Sequence, residues 1–192
     1  MKVKTFLFSA ALLLLCITTF ALPAQEDFYH KYYKIESKAF SGKVLTRTAK
    51  TGFLIKPALE EHVSLNYAYS GSNSQKWIIA PLSPNSSEFY IINKETGFPL
   101  MIDGNTVKCN TSGITDDRQR FKFKNINGDY FQVQSASIDG CFYKMQHKRY
   151  NGLGQEIGYY YSLYYSNSAN LNDDYSFFKL TAVEDIPGTD NV

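Results

Sequence analysis

The chain has 192 residues, 44% hydrophobic and 16% aromatic, with 20 Lys and Arg against 18 Asp and Glu. The whole excess, Lys2 and Lys4, lies in the first 24 residues, so residues 25–192 carry equal numbers of each sign. That balance argues against a nucleic-acid-binding protein, whose affinity rests on surplus Lys and Arg, and the length is that of one ordinary domain.

In chain order, Lys2 and Lys4 give a positive start, Phe6 to Ile17 is apolar and uncharged, and small residues follow at Thr19, Ala21 and Ala24. This is the layout of a secretory signal peptide over residues 1–24, cut after Ala24 or after Ala21. The apolar run is shorter than the roughly 20 residues of a membrane-spanning helix and has no second copy. The expectation is a secreted or periplasmic protein with no membrane insertion once the leader is removed. Cys16 follows the bulky Leu15, which argues against a lipid-attachment site.

From there one pattern recurs three times. The first copy reads Tyr33-x-Ile35, Ser41-Gly42-x-x-Leu45, Val63-x-Leu65 and Gln75-x-Trp77-x-Ile79. The second reads Tyr90-x-Ile92, Thr96-Gly97-x-x-Leu100, Val107-x-Cys109 and Gln119-x-Phe121-x-Phe123. The third reads Phe131-x-Val133, Asp139-Gly140-x-x-Tyr143 and Leu163-x-Tyr165, and closes on Phe177 or Phe178. Apolar residues at i and i+2 share one face of a β-strand, so each copy predicts four short strands, and aromatic and β-branched residues suit such surfaces. The repeated glycine marks a turn or bulge where a Cβ would clash.

Val63 precedes Trp77, and Val107 precedes Phe121, by the same 14 residues. In the third copy strand alternation selects Phe178-x-Leu180, because Phe177 would place Lys179 on the inner face. Between the second and third phrases the spacing is elastic, 21, 10 and 23 residues in the three copies, so length has been added to hairpins on a fixed frame. A four-strand unit cannot bury its apolar face alone, and three copies favour a closed barrel over a propeller. The expected fold is all-β, a β-trefoil of three four-stranded repeats over about 28–84, 85–128 and 129–184, within a domain of residues 25–184. A polar tail, residues 185–192, follows. No helix is expected beyond one turn within Pro57 to Leu65.

Gly-x-x-Leu in the second strand with Gln-x-Trp in the fourth, here Gly42 to Leu45 and Gln75-Lys76-Trp77, resembles the ricin B-type β-trefoil lectins across about residues 32–183. The resemblance implies glycan binding, with Gln75, Trp77, Phe121 and Phe178 as structural repeat residues. It also implies an Asp after Gly-x-x-Leu, an aromatic platform at the end of the third strand and an Asn before the Gln. The matching positions are Thr46, Met101 and Lys144; Asn66, Asn110 and Ser166; and Ser74 and Arg118. The usual galactose-type site is therefore absent from all three copies.

Two substitute carbohydrate sites are proposed by the residues. Asp103, Asn105, Asn110 and Gln119 are short polar groups able to make planar hydrogen bonds, although Asp103-Gly104-Asn105 is equally good turn sequence. In the third copy Tyr150, Tyr159 and Tyr161 offer flat apolar faces with hydroxyls, beyond a turn expected at Asn151-Gly152, although tyrosine is also a favoured strand residue. Cys109 and Cys141 permit a disulfide in an exported chain; two buried thiols explain them equally well. No catalytic constellation, metal-ligand spacing or cofactor motif emerges: His30, His62 and His147 are far apart, and Asn172, Asp173 and Asp174 lack the ligand ladder of a calcium loop. The expectation is a secreted, non-enzymatic binding module for a glycan or an extracellular protein. The alternatives are a protease inhibitor acting through a loop within Arg47–His62 or Gln146–Gly158, and a scaffold with no small ligand.

Overall fold

The computed structural model describes Phe28 and residues 30–49, 61–167 and 173–188. The expected leader, residues 57–60 of the Pro57–Leu65 turn, Asn172 and the end of the tail lie outside the described residues.

Every long element is a strand. In chain order they are β1 (Lys31–Ser37), β2 (Lys43–Ala49), β3 (Glu61–Ala68), β4 (Trp77–Pro81), β5 (Phe89–Asn93), β6 (Leu100–Asp103), β7 (Thr106–Cys109), β8 (Phe121–Asn127), β9 (Tyr130–Ser135), β10 (Cys141–Tyr150), β11 (Glu156–Ser166) and β12 (Phe178–Asp185). Residues 61–65, at the end of the expected turn, belong to β3. All pairings are antiparallel, in the order β10-β11-β7-β3-β2-β1-β12-β9-β8-β5-β4 with β6 on β7. The sheet closes on itself through β1 with β4 and β9 with β10.

The closing aromatics explain the closure. Tyr33 stands opposite Trp77, Phe89 opposite Phe121, and Phe131 opposite Phe178, one ring pair at each of three strand junctions. All six are buried, and Phe142 packs edge-on against Phe121 at 5.1 Å and Phe178 at 6.4 Å. The Trp77 indole N–H also donates to the Leu45 carbonyl at 3.0 Å, satisfying its one polar atom inside the core. Truncating any of these rings to alanine costs about 3–5 kcal/mol. Phe178, not the adjacent Phe177, opens β12 and meets Phe131, as the alternation predicts.

Just before each closing aromatic the chain makes one 3₁₀ turn, Asn73–Gln75, Asp117–Gln119 and Asp174–Ser176. Ser72, Asp116 and Asp173 cap these turns, each side-chain oxygen accepting the backbone N–H two residues on. The glycine phrase has two physical bases. Gly42 and Gly97 take left-handed φ values of 80° and 71° in open space. At Gly140 a Cβ would also stand 2.6 Å from the Ser166 carbonyl oxygen.

No disulfide joins Cys109 and Cys141; both are reduced and buried. Cys109 is in β7 and Cys141 in β10, with β11 between them in the sheet. Two strand spacings and an offset of about five residues along β11 separate them, well beyond the reach of about 7 Å that a disulfide allows. Burial alone pushes the Cys141 thiol up to about 11. Asp185, placed in the tail by sequence, ends β12, and the Ile186 N–H donates to the His30 carbonyl at 2.7 Å.

Candidate functional site

The glutamines of the fourth phrase serve the frame. Gln119 is fully buried: its Oε1 accepts from the Thr115 and Asp116 N–H groups at 2.6 and 3.0 Å, and its Nε2 donates to the Gly113 carbonyl at 2.7 Å. Gln75 repeats the arrangement, accepting from Ser70 N–H at 2.7 Å and donating to the Ala68 carbonyl at 2.8 Å. In the third copy Ser176 stands in this place, and Gln132 reaches across from β9 to donate to its hydroxyl at 2.7 Å. Asn110 donates to the same Gly113 carbonyl at 2.9 Å and to Thr115 Oγ1 at 3.1 Å, while its Oδ1 accepts from Ser112 N–H at 3.1 Å. Asn110 and Gln119 are therefore brought together, but to fold the loop over 110–116, and neither amide is left for a ligand.

Asp103 and Asn105 lie on the exposed β6–β7 turn. Lys108 donates to the Asp103 carboxylate at 2.5 Å and holds its pKa below the usual range. Of the four polar residues of the second copy, two are thus spent on the loop and two stand on an exposed turn. Thr46, Met101 and Lys144, where the family pattern implies a sugar-binding Asp, are all buried.

The third copy differs. Its hairpin β10–β11 has strands of 10 and 11 residues, against 4 and 4 for β6–β7. Its tip is a five-residue turn over 151–155 with Gly154 at φ 76°, in place of the expected two-residue turn at Asn151-Gly152. Asn151 fixes that tip: its Oδ1 accepts from Leu153 and Gln155 N–H, and its Nδ2 donates to Gln155 Oε1. Leu153 is 84% exposed there.

At their bases the hairpins meet pairwise, Ser162 of β11 against Ser64 of β3, Tyr164 of β11 against Thr106 of β7, and His62 of β3 against Lys108 of β7. Two adjoining hollows of about 460 and 550 Å³ open at this junction and share Asn66, Tyr67, Tyr160 and Tyr161. Tyr159 borders the outer hollow and Ser64 the inner. Tyr67 and Tyr160 are 52% and 44% exposed, and Tyr160 stacks on His147 at 4.7 Å, 15° from parallel. Asn66 Oδ1 accepts the Tyr161 N–H at 2.5 Å and ties β11 to β3. The Ser64 hydroxyl is buried with no hydrogen-bond partner.

The cleft is thus walled by tyrosine faces and floored by small polar groups. Tyr159 and Tyr161 of the sequence-based set border it, and Tyr150 is exposed at the far end of β10. Tyr67, Tyr160, Ser64 and Asn66 escape sequence reasoning as site residues because they belong to different hairpins, and only the fold brings them together. Alternation in β3 would put Tyr67 on the face of Val63 and Leu65, toward the core, yet near the strand's end it is 52% exposed.

Behind Tyr161 lies Lys144, 1% exposed. Its ammonium sits over the Phe40 ring and 3.6 Å from the Tyr161 centroid, without a hydrogen-bond partner. Burial, with a smaller contribution from Lys43, pulls its pKa down to about 7. Among the described residues no three His, Cys, Asp or Glu side chains gather as a metal site.

No protein-family model matches the sequence, and no curated protein matches it. Solved structures do match the fold. An exo-β-1,3-galactanase from Clostridium thermocellum aligns at 20% identity with a TM-score of 0.56, over 80% of this chain and 30% of the galactanase. The designed three-fold symmetric protein ThreeFoil aligns at 16% identity and TM-score 0.53, over 79% of this chain and 99% of its own. A proteinase inhibitor from Coprinopsis cinerea aligns at 13% identity and TM-score 0.53, over 80% and 98% respectively. The chain spans less than a third of the galactanase and 38% of Cry35Ab1, another structure it matches. These likenesses establish a shared all-β barrel fold.

Proposed function

We propose that the chain is an exported, non-enzymatic β-trefoil binding module that recognises carbohydrate through the cleft where its three hairpins meet. The observation that carries the reading is the concentration of Tyr67, Tyr159, Tyr160 and Tyr161 around a hollow whose floor holds the unpartnered Ser64 hydroxyl. Tyrosine faces take the apolar faces of a sugar ring, and small polar groups take its hydroxyls. The β-trefoil assignment is supported by the threefold sequence pattern and by the three equivalent ring pairs across the strand junctions. Binding of the purified protein to a glycan array tests the proposal, with Tyr67→Ala and Tyr160→Ala expected to weaken the signal while leaving the thermal midpoint unchanged. Silence across the array removes it.

A second reading, inhibition of a protease, is favoured by one feature: the β10–β11 hairpin presents Leu153 on a tip held rigid by Asn151. Rates of a panel of serine and cysteine proteases, measured with and without the protein, decide it, and Leu153→Asp should abolish any inhibition found.

A further inference from the structure

The cleft is lopsided in charge. Lys43 of β2 and Arg149 of β10 stand on its wall, and no Asp or Glu is among the described residues bordering either hollow. Elsewhere the chain neutralises its cations locally. Lys148, next to Arg149, donates to Glu156 at 2.8 Å, Arg47 to Glu95 at 2.7 Å, and Lys76 to Glu184 at 2.6 Å. Lys43 instead donates to the Asn66 backbone carbonyl at 3.1 Å, which leaves two of its protons uncommitted. Neither Lys43 nor Arg149 has a carboxylate within ion-pair reach among the described residues.

Two uncharged groups add donors to the same wall. Asn66 Oδ1 already accepts the Tyr161 N–H, and among the described residues its two Nδ2 protons have no partner. The Ser64 hydroxyl, on a residue 8% exposed, borders the inner hollow with no partner. A neutral sugar presents hydroxyls that both donate and accept, and a carboxylate on the protein suits it. A wall of donors suits a group that only accepts, a carboxylate or sulfate, and a guanidinium can grip such a group with two parallel hydrogen bonds.

We infer that the cleft selects a sugar carrying a fixed negative charge, a uronate or a sulfated residue, with Arg149 and Lys43 holding the anion and the tyrosines holding the ring. This rests on the carbohydrate reading above and narrows it.

The test is binding of the purified protein to immobilised polygalacturonate, chondroitin sulfate, dextran and polyglutamate at 50 and 300 mM NaCl. Expected is retention by one or both anionic polysaccharides, weakened by salt, with dextran and polyglutamate unbound. The double variant Lys43→Gln/Arg149→Gln should bind at least tenfold more weakly with an unchanged thermal midpoint, and Tyr160→Ala should weaken binding as well. Retention by polygalacturonate identifies a carboxylate as the anion, and by chondroitin sulfate alone a sulfate. Binding to dextran only overturns the charge inference and leaves the carbohydrate reading standing. Equal binding to polyglutamate, or anionic binding untouched by the double variant, shows general charge attraction and overturns the inference. No binding to any polysaccharide removes both.

Discussion

Replacing Lys144 by methionine keeps the stem and removes the ammonium from its place between Phe40 and Tyr161. In the folded chain burial lowers the lysine pKa from 10.5 to about 7, so the neutral amine suits the native state and the charged amine the unfolded one. Between pH 7 and 10.5 the unfolded chain therefore binds more protons, and native stability rises with pH across that window. From pH 7.5 to 9.5 the Lys144 contribution amounts to about 2–3 kcal/mol, while the aromatic faces, which favour the cation, offset part of the burial. Urea unfolding of both proteins at half-unit steps over this range isolates the effect, because every other group titrates alike in the two. The expected result is that Lys144→Met is more stable at pH 7.5 and that the gap narrows by about 2 kcal/mol at pH 9.5. Parallel pH profiles for the two proteins would refute the reasoning and place the amine in contact with water.

Gln119→Ala should cost about 2 kcal/mol in urea unfolding, since it takes the partner from the Thr115 and Asp116 N–H groups and the Gly113 carbonyl at a partly buried site, whereas Asn105→Ala should stay within about 0.5 kcal/mol. Gly140→Ala should destabilise by 3 kcal/mol or more, roughly twice the cost of Gly42→Ala, because only at Gly140 does backbone oppose the added methyl as well as the φ angle. A chain beginning at Gln25 should react with a thiol reagent at pH 8 only after unfolding, then yield two thiols, since Cys109 and Cys141 are buried and burial raises the Cys141 pKa. A fast native reaction would show that the core opens there.

Most of the frame was readable because its signals are local, although the core takes Phe89 and Ile91 where the pattern named Tyr90 and Ile92, and Phe142 where it named Tyr143. Val63-x-Leu65, Val107-x-Cys109 and Leu163-x-Tyr165 each announce a strand by alternation, and each pair is buried. The 3₁₀ turns were hidden by their length, although Ser72-x-x-Gln75 and Asp116-x-x-Gln119 carry capping-box residues at the right spacing. Gln119 looked like a ligand group because its chemistry suits sugars and backbone alike; only its burial, and the carbonyl and N–H groups around it, decide for the backbone. The cleft was the least legible part. Tyr159 and Tyr161 were visible as an aromatic run, but Tyr67 is more than 90 residues away, and their neighbourhood depends on Asn66 docking β3 against β11.

The meeting of the hairpins also sets a stoichiometry. The strand junctions recur three times, but among the described residues the three hairpins meet at one place, and the cleft lies there. One chain offers one such seat and cannot by itself bridge two polymers. A monomer should therefore coat an acidic polysaccharide and keep it dispersed, and clumping would require a second protomer to supply the other grip.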